Sequence, residues 1–291
     1  MAKVTGPLGP RIHIAEAVKK LREDQGKILT EVARDLMISS SKLSRLENAQ
    51  GTPTRSDIRE LIRYYRIEGT PLAAQLERWV QAARRRGWWT DYDEDVIEGL
   101  DAHVAYEVDT AVERVYTIPF LPALLQTQDY ARAVFRDMED RSPEQIEQLL
   151  AVRRRRQEAL RTREDRDPLQ LIAVTYQSTL YQLVGSSRVM REQLDELAER
   201  SADPNVRLHV LPFTAKPTFS MTCMYAYFEY QDEGESDVVH VETHAGYFRV
   251  EGADQVKRYR SAHDALVRAS YTEEASLELI LKTRDLPHAY D

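Results

Sequence analysis

Apolar residues recur at helical spacing through the first third of the chain. Between Ile12 and Leu21, the residues Ile14, Ala17, Val18 and Leu21 fall at intervals of three and four, and Gly26 follows as a stop. Leu29, Val32, Ala33 and Leu36 repeat the pattern over about two turns. Ser39 is then placed to cap a third helix whose buried stripe is Leu43 and Leu46 and which ends near Asn48. After the turn "QGTPT", Thr54 or Ser56 can cap a fourth helix carrying Ile58, Leu61, Ile62 and Tyr65, and a fifth is expected over Leu72 to Arg86. Five short helices predict a compact all-α unit.

The pattern breaks at "RRRGWWTDYDEDVIEGL" and changes character beyond it. Val108 to Ile118 is rich in β-favouring residues, and the two prolines of "TIPFLPALLQT" end any regular element. Helices are expected at Asp129–Met138 and, opened by the cap "SPEQ", at Ser142–Arg163. "LQLIAV", "VRLHVLPF", "MYAYFEY" and "DVVHVET" read as strands, two helices fall within Gln177–Arg200, and helices over Ala253–Ser270 and Glu273–Thr283 close the chain. The expectation is therefore multidomain, with an all-α five-helix helix-turn-helix domain over 1–86 and a larger α+β domain over 87–291.

Charge follows the same division. Residues 1–90 hold 17 Lys and Arg against 10 Asp and Glu, a net of +7, whereas 91–291 hold 23 against 38, a net of −15. A basic segment on an acidic chain is what phosphate contact by the first part requires, because neutralisation needs local charge. With 42% apolar residues in 291, the chain has material for real cores. A single cysteine, Cys223, excludes an intramolecular disulfide framework. No segment has the pattern of a signal peptide or a membrane span, so a soluble, cytoplasmic protein without membrane contact is expected.

The short connection around Met37–Ser39 is that of a helix-turn-helix, whose second helix enters the DNA major groove. With Leu43 and Leu46 inward, Ser40, Ser41, Ser44 and Arg45 face outward and Lys42 lies beside them. Arginine can grip guanine with two hydrogen bonds, serine can donate or accept, and short side chains permit close approach. "EVARDLMISSSKLSRLENAQGTPT" resembles the second and third helices of XRE-type regulators, with Ala33 at the helix crossing and Leu36 before the turn. That resemblance implies base reading by Ser40, Ser41, Ser44 and Arg45, and phosphate contact by Lys42, Asn48 and Arg55. Two positions depart from the pattern: Ile28 stands where a capping Thr or Ser is usual, and Met37 where Gly is common in the turn.

"WWTDY", "IPFLPALLQTQDYARAV", "RRRRQEAL", "LVGSSRVMREQLDEL", "PNVRLHVLPF" and "VVHVET" resemble the C-terminal domain of the actinobacterial WhiJ-like regulators. The resemblance implies a reader of double-stranded DNA joined to a domain that senses a small-molecule effector or binds a small partner protein. Half-site geometry adds the expectation of a homodimer. A toxin-like or enzymatic C-terminal effector, neutralised by a partner and paired with an autoregulatory reader, is the alternative.

Other candidate chemistry is weaker. His240, Glu242 and His244 alternate onto one strand face, but neighbours on that face are nearly 7 Å apart, about twice the rise per residue, which suits one small metal ion poorly. The run Arg153–Arg156 spreads around a helix and reads as a solvated or partner-facing surface. Trp88 and Trp89 read as a packed hinge or interdomain wedge, and Cys223 as a core residue. No nucleophile, phosphate-loop, dinucleotide or zinc-protease motif occurs, so no catalytic residue, cofactor or metal is expected.

Overall fold

The computed structural model describes residues 6–138, 141–164, 166–216, 218–231, 236–243, 246–250 and 252–286. His244 of the alternating histidine set lies outside them. The chain divides into two compact units, and the division is less simple than a cut at 86/87. The first unit runs to Asp91 and also takes in Asp101–Asp109.

In the first unit, helices α1 (Gly9–Asp24), α2 (Leu29–Asp35), α3 (Ser40–Glu47), α4 (Arg55–Tyr64) and α5 (Pro71–Ala83) fall where the periodicity puts them. Their stripes meet in one core, with Ile14, Val18, Val32, Leu43, Ile58 and Leu76 fully or almost fully buried. Each such side chain stabilises by about 1.5–3 kcal/mol. Local chemistry sets the boundaries. Gly26 has φ +64°, a conformation glycine adopts without strain, at the end of α1. Thr54 and Asp57 form a reciprocal capping box on α4, and Thr70 caps α5 ahead of Pro71. Trp89 is 1% exposed and packs edge-on to Trp88, with ring centroids 6.0 Å apart, and the stretch to Asp91 falls within the first unit.

Two helices follow that the periodicity did not announce, α6 (Glu94–Ile97) and α7 (Leu100–Glu107). Most of α7 belongs to the first unit, where the carbonyl of Ala105 accepts the Leu8 N–H at 3.0 Å.

The second unit is built on β1 (Val112–Thr117). Two helices follow it, α8 (Gln128–Met138) and α9 (Pro143–Glu158), the latter opened by a capping box of Ser142 and Gln145. Then come β2 (Gln170–Tyr176), α10 (Ser187–Arg200), β3 (Val206–Leu211), β4 (Met224–Glu229), β5 (Val238–Thr243), β6 (Gly246–Arg249), α11 (Ala253–Ala269) and α12 (Glu273–Arg284). Among the described residues the sheet has six strands in the order β3-β2-β1-β4-β5-β6, parallel across β1, β2 and β3 and antiparallel from β4 to β6. The α+β expectation holds. One of the two helices expected within 177–200 is a single 3-10 turn over Gln177–Leu180, and β6 is an additional strand.

Alternation along the strands gives the sheet two different faces. One carries Tyr116, Val174, Tyr225, Tyr227 and Val239 beneath Leu266 of α11, with Cys223 partly buried at its margin. Arg114 and Arg260 both reach Glu229, at 3.0 and 2.6 Å, and tie α11 to the sheet. The other face carries Leu171, Ala173, Leu208 and Val210 beneath α8, α10 and α12. The four consecutive arginines of α9 correct in part the expectation of a solvated or partner-facing helix surface. Arg154 and Arg155 are exposed, but Arg156 is 5% exposed and Arg153 is half-buried. A helix carrying an apolar stripe turns whatever lies at the stripe's spacing inward with it.

His263 of α11 is fully buried, with Nδ1 3.2 Å from the Tyr225 hydroxyl. Burial, with the charges of Arg114, His209 and Arg260 adding to it, pulls its imidazole down to about 3. The folded state thus keeps His263 neutral while the unfolded chain protonates it near pH 6.5, so stability is complete above that pH and declines as pH falls toward 3. Acid titration of the denaturation midpoint should show this slope, at most about 1.4 kcal/mol per pH unit from this group. His263→Gln should flatten it between pH 6.5 and 4.

Candidate nucleic-acid interface

Helix α2 starts without a side-chain cap, because its N-cap residue is Ile28. It ends at Leu36, where Met37 N–H donates to the Arg34 carbonyl at 3.0 Å and Ile38 N–H to the Ala33 carbonyl at 2.9 Å. Met37 turns the chain with φ +54°, the left-handed region in which a Cβ is unfavourable, and its side chain is 93% exposed. Ser39 is the N-cap of α3, its hydroxyl accepting the Lys42 N–H at 3.1 Å. Ala33, 1% exposed, is the small residue that lets α2 and α3 approach.

The outward face of α3 is as expected in part. Ser40, Ser41 and Arg45 are exposed and Ser44 is half-buried. Arg55, the first residue of α4, is exposed. Two of the residues assigned to phosphate have intramolecular partners. The Lys42 ammonium is 2.6 Å from Asp57 Oδ1, and the Asn48 side-chain amide folds back onto the Ser44 carbonyl at 2.7 Å. Burial would raise the Asp57 carboxyl, but hydrogen bonds from Lys42 and from the Thr54 backbone and hydroxyl outweigh it and hold it below the ordinary range. Lys42 therefore joins α3 to the cap of α4 as well as lying beside the outward face of α3.

What holds α3 in place is a buried ion pair that periodicity does not reveal. Glu47 occupies the buried stripe with Leu43 and Leu46 at 7% exposure, and the Arg22 guanidinium of α1 clasps it. Arg22 Nε donates to Glu47 Oε1 at 2.8 Å and Nη2 to Oε2 at 2.9 Å, while Nη1 donates to the Lys27 carbonyl at 3.1 Å. Hydrogen bonding to Glu47 holds the Arg22 guanidinium above its ordinary range even against burial. The signal was present in the sequence as an acid at an apolar position of a short helix. A second polar chain, Lys27 to the Tyr64 hydroxyl to Asp35, with both links at 2.8 Å, joins the start of α2, its end and α4.

The His240 and Glu242 pair does share one strand face, but His240 is buried and stacks on Tyr247 with centroids 5.0 Å apart, whereas Glu242 is exposed. Among the described residues, no helix is long and apolar enough to cross a membrane.

Two helices crossing at a small residue, a tight turn and a second helix presenting short polar side chains and an arginine define the helix-turn-helix class of DNA-binding units. A family model described as "Helix-turn-helix domain" matches residues 13–76, which spans all of these features. A second model, described as "Domain of unknown function (DUF5753)", matches residues 100–282, and the chain belongs to that family. No curated protein and no solved structure matches the chain.

Breaking the clasp from one side leaves a buried charge without its partner, which costs about 3–5 kcal/mol. Arg22→Met and Glu47→Gln should each lower the denaturant midpoint of the first unit, and Arg22→Met combined with Glu47→Leu should recover most of the loss. At the turn, Met37→Gly should stabilise the full chain by about 1 kcal/mol, read from the same denaturation curves, because it relieves left-handed strain at a side chain that packs against little.

Proposed function

We propose that this chain is a sequence-specific DNA-binding transcription regulator of the XRE type, and that its α+β domain is the sensing part. The observation that carries the reading is the outward face of α3, where Ser40 and Ser41 in its first turn and Arg45 in its last stand exposed while Leu43, Leu46 and Glu47 hold the opposite face in the core. Arg45 is the principal base reader in this proposal: its guanidinium has no ion-pair partner among the described residues and suits guanine O6 and N7. Arg55 contacts phosphate, Ser40, Ser41 and Ser44 fit the groove around Arg45, and Lys42 and Asn48 contribute by holding the helix in register. The chain works as a homodimer on a pseudo-palindromic site, since one helix reads too few base pairs for useful specificity. The net negative charge of the second domain disfavours its lying along the DNA backbone, which suits a part that binds a small-molecule effector or a small partner protein.

Selection from a random duplex pool, followed by anisotropy titrations, tests this. Arg45→Ala should weaken binding to the selected site by about 1–3 kcal/mol and relax base choice at one position, with little effect on random duplex. Arg55→Ala should weaken both alike and reduce the salt slope by about one. Equal losses for Arg45→Ala on selected and random DNA would remove it from base reading.

A further inference from the structure

Helix α4 buries Ile58, Leu61 and Ile62. Off the flank of that stripe, Arg55, Arg59 and Arg63 recur at i, i+4 and i+8, and all three are exposed. The row climbs the helix in steps of about 6 Å and stays within roughly 80° of one side. Arg66, exposed just past the last turn, prolongs it. Arg55, Arg63 and Arg66 have no ion-pair or side-chain hydrogen-bond partner among the described residues. Arg59 lies 3.7 Å from Glu77, but both side chains are more than half exposed, so water and salt weaken the pair. The acids of α4 itself are engaged elsewhere, Asp57 with Lys42 and the cap, and Glu60 with the Ser56 hydroxyl at 3.5 Å.

Helix stability does not account for the row. Like charges at i, i+4 oppose helix formation, and Arg55 stands at the first position of α4, where the helix dipole disfavours a cation. At the other end Arg66 has φ +56° and closes α4 with its own N–H on the Arg63 carbonyl and the Ile67 N–H on the Ile62 carbonyl, both at 3.1 Å. Gly26 closes α1 with the same pair of bonds, onto the Glu23 and Arg22 carbonyls, without the strain that a Cβ adds. Met37 and Ala49 share this geometry, so the strain alone assigns no role. At Arg66 it is borne by a charge held in water at the end of a row of like charges.

We propose that this arginine row is a phosphate track, along which α4 holds the backbone of DNA outside the base pairs read by α3. The inference rests on the DNA-binding reading above and extends it from base recognition to the flanking duplex. Asp57 meets Lys42 of α3, and the row lies roughly 120–160° around α4 from Asp57, so it addresses a different stretch of backbone from the one beside α3. The chemistry favours phosphate over a protein surface. Every member of the row is arginine, whose planar fork meets a phosphate with two parallel hydrogen bonds. A protein contact centres on an apolar or aromatic anchor, and none of the exposed large apolar residues among those described lies on α4.

The test is the salt dependence of binding by the full chain to two duplexes, one ending close to the selected site and one carrying about ten further base pairs on each side. The native chain should bind the longer duplex more tightly and with the steeper slope. Arg63→Ala combined with Arg66→Ala should lower affinity for the longer duplex about tenfold or more at about 0.1 M salt and reduce the slope by about two, with base choice unchanged. Arg63→Lys with Arg66→Lys should retain the slope. So should Lys19→Ala with Lys20→Ala, which removes the same charge from exposed positions of α1. Arg66→Gly should raise the thermal midpoint and still reduce the slope by about one, an opposition that a merely structural role does not produce. An unchanged slope in the double alanine variant overturns the track, as does an equal loss from the α1 variant or an equal loss on the short duplex. Random duplex separates the inference from base reading. Loss of slope there, with Arg45→Ala equally harmful to selected and random DNA, upholds the track and removes the reader; an unchanged slope with a selective Arg45→Ala defect does the reverse.

Discussion

The Arg22–Glu47 clasp fixes the rotation of a helix too short to fix its own. Helix α3 has eight residues, two turns, and an isolated segment of that length does not hold helical structure in water. Its orientation must come from what it touches. A carboxylate under 10% exposed is tolerable only where a fork-shaped donor meets both its oxygens, and α1 supplies that donor in one place. Any other roll of α3 about its axis separates Glu47 from Arg22 and exposes Leu43 or Leu46. Placing Ser40, Ser41 and Arg45 outward is thus a consequence of where a negative charge is buried on the opposite side.

The connections around α3 obey the same economy of local chemistry. Ser39 fixes its start, Asn48 closes its end, and Lys42 couples it to the capping box of α4 through Asp57. Lys42 Nζ and Asp57 Oδ1 are close, yet Lys42 is well exposed, so the pair contributes orientation more than energy. The turn carries the opposite sign: Met37 costs stability where glycine would not. A turn that is tolerated at a cost implies that the contacts on both sides of it over-determine its shape.

Much of this was legible in the sequence because it rests on short-range rules. Periodicity located the five helices of the first unit, hydroxyl residues located the caps at Ser39 and Ser142 and narrowed that of α4 to Thr54 or Ser56, and apolar runs and alternation located the strands through "VVHVET". What was not legible depends on partners distant in the chain. Glu47 and Arg22 are separated by 25 positions, and nothing local says that an acid in a leucine stripe has a cation waiting. Helix α7 has apolar and polar residues without clear one-sidedness, so its place with the first unit, secured by Leu8 and Ala105, left no periodic trace. Four consecutive arginines invite a surface reading when viewed as a run. Viewed against the stripe from Leu149 and Leu150, two of the four fall on its inward side, Arg156 buried and Arg153 half-buried.

The two units therefore use one device with different completion. In each, a charged residue replaces an aliphatic one on the buried stripe of a helix, and in each the consequence is governed by what stands opposite. Glu47 meets a complete bidentate partner, and the arrangement is closed: it positions a helix and has no capacity for a further ligand. Arg153 meets a single amide oxygen and an aromatic face, and its Nε is left enclosed without an acceptor. An enclosed donor on a charged group is expensive whenever nothing accepts from it.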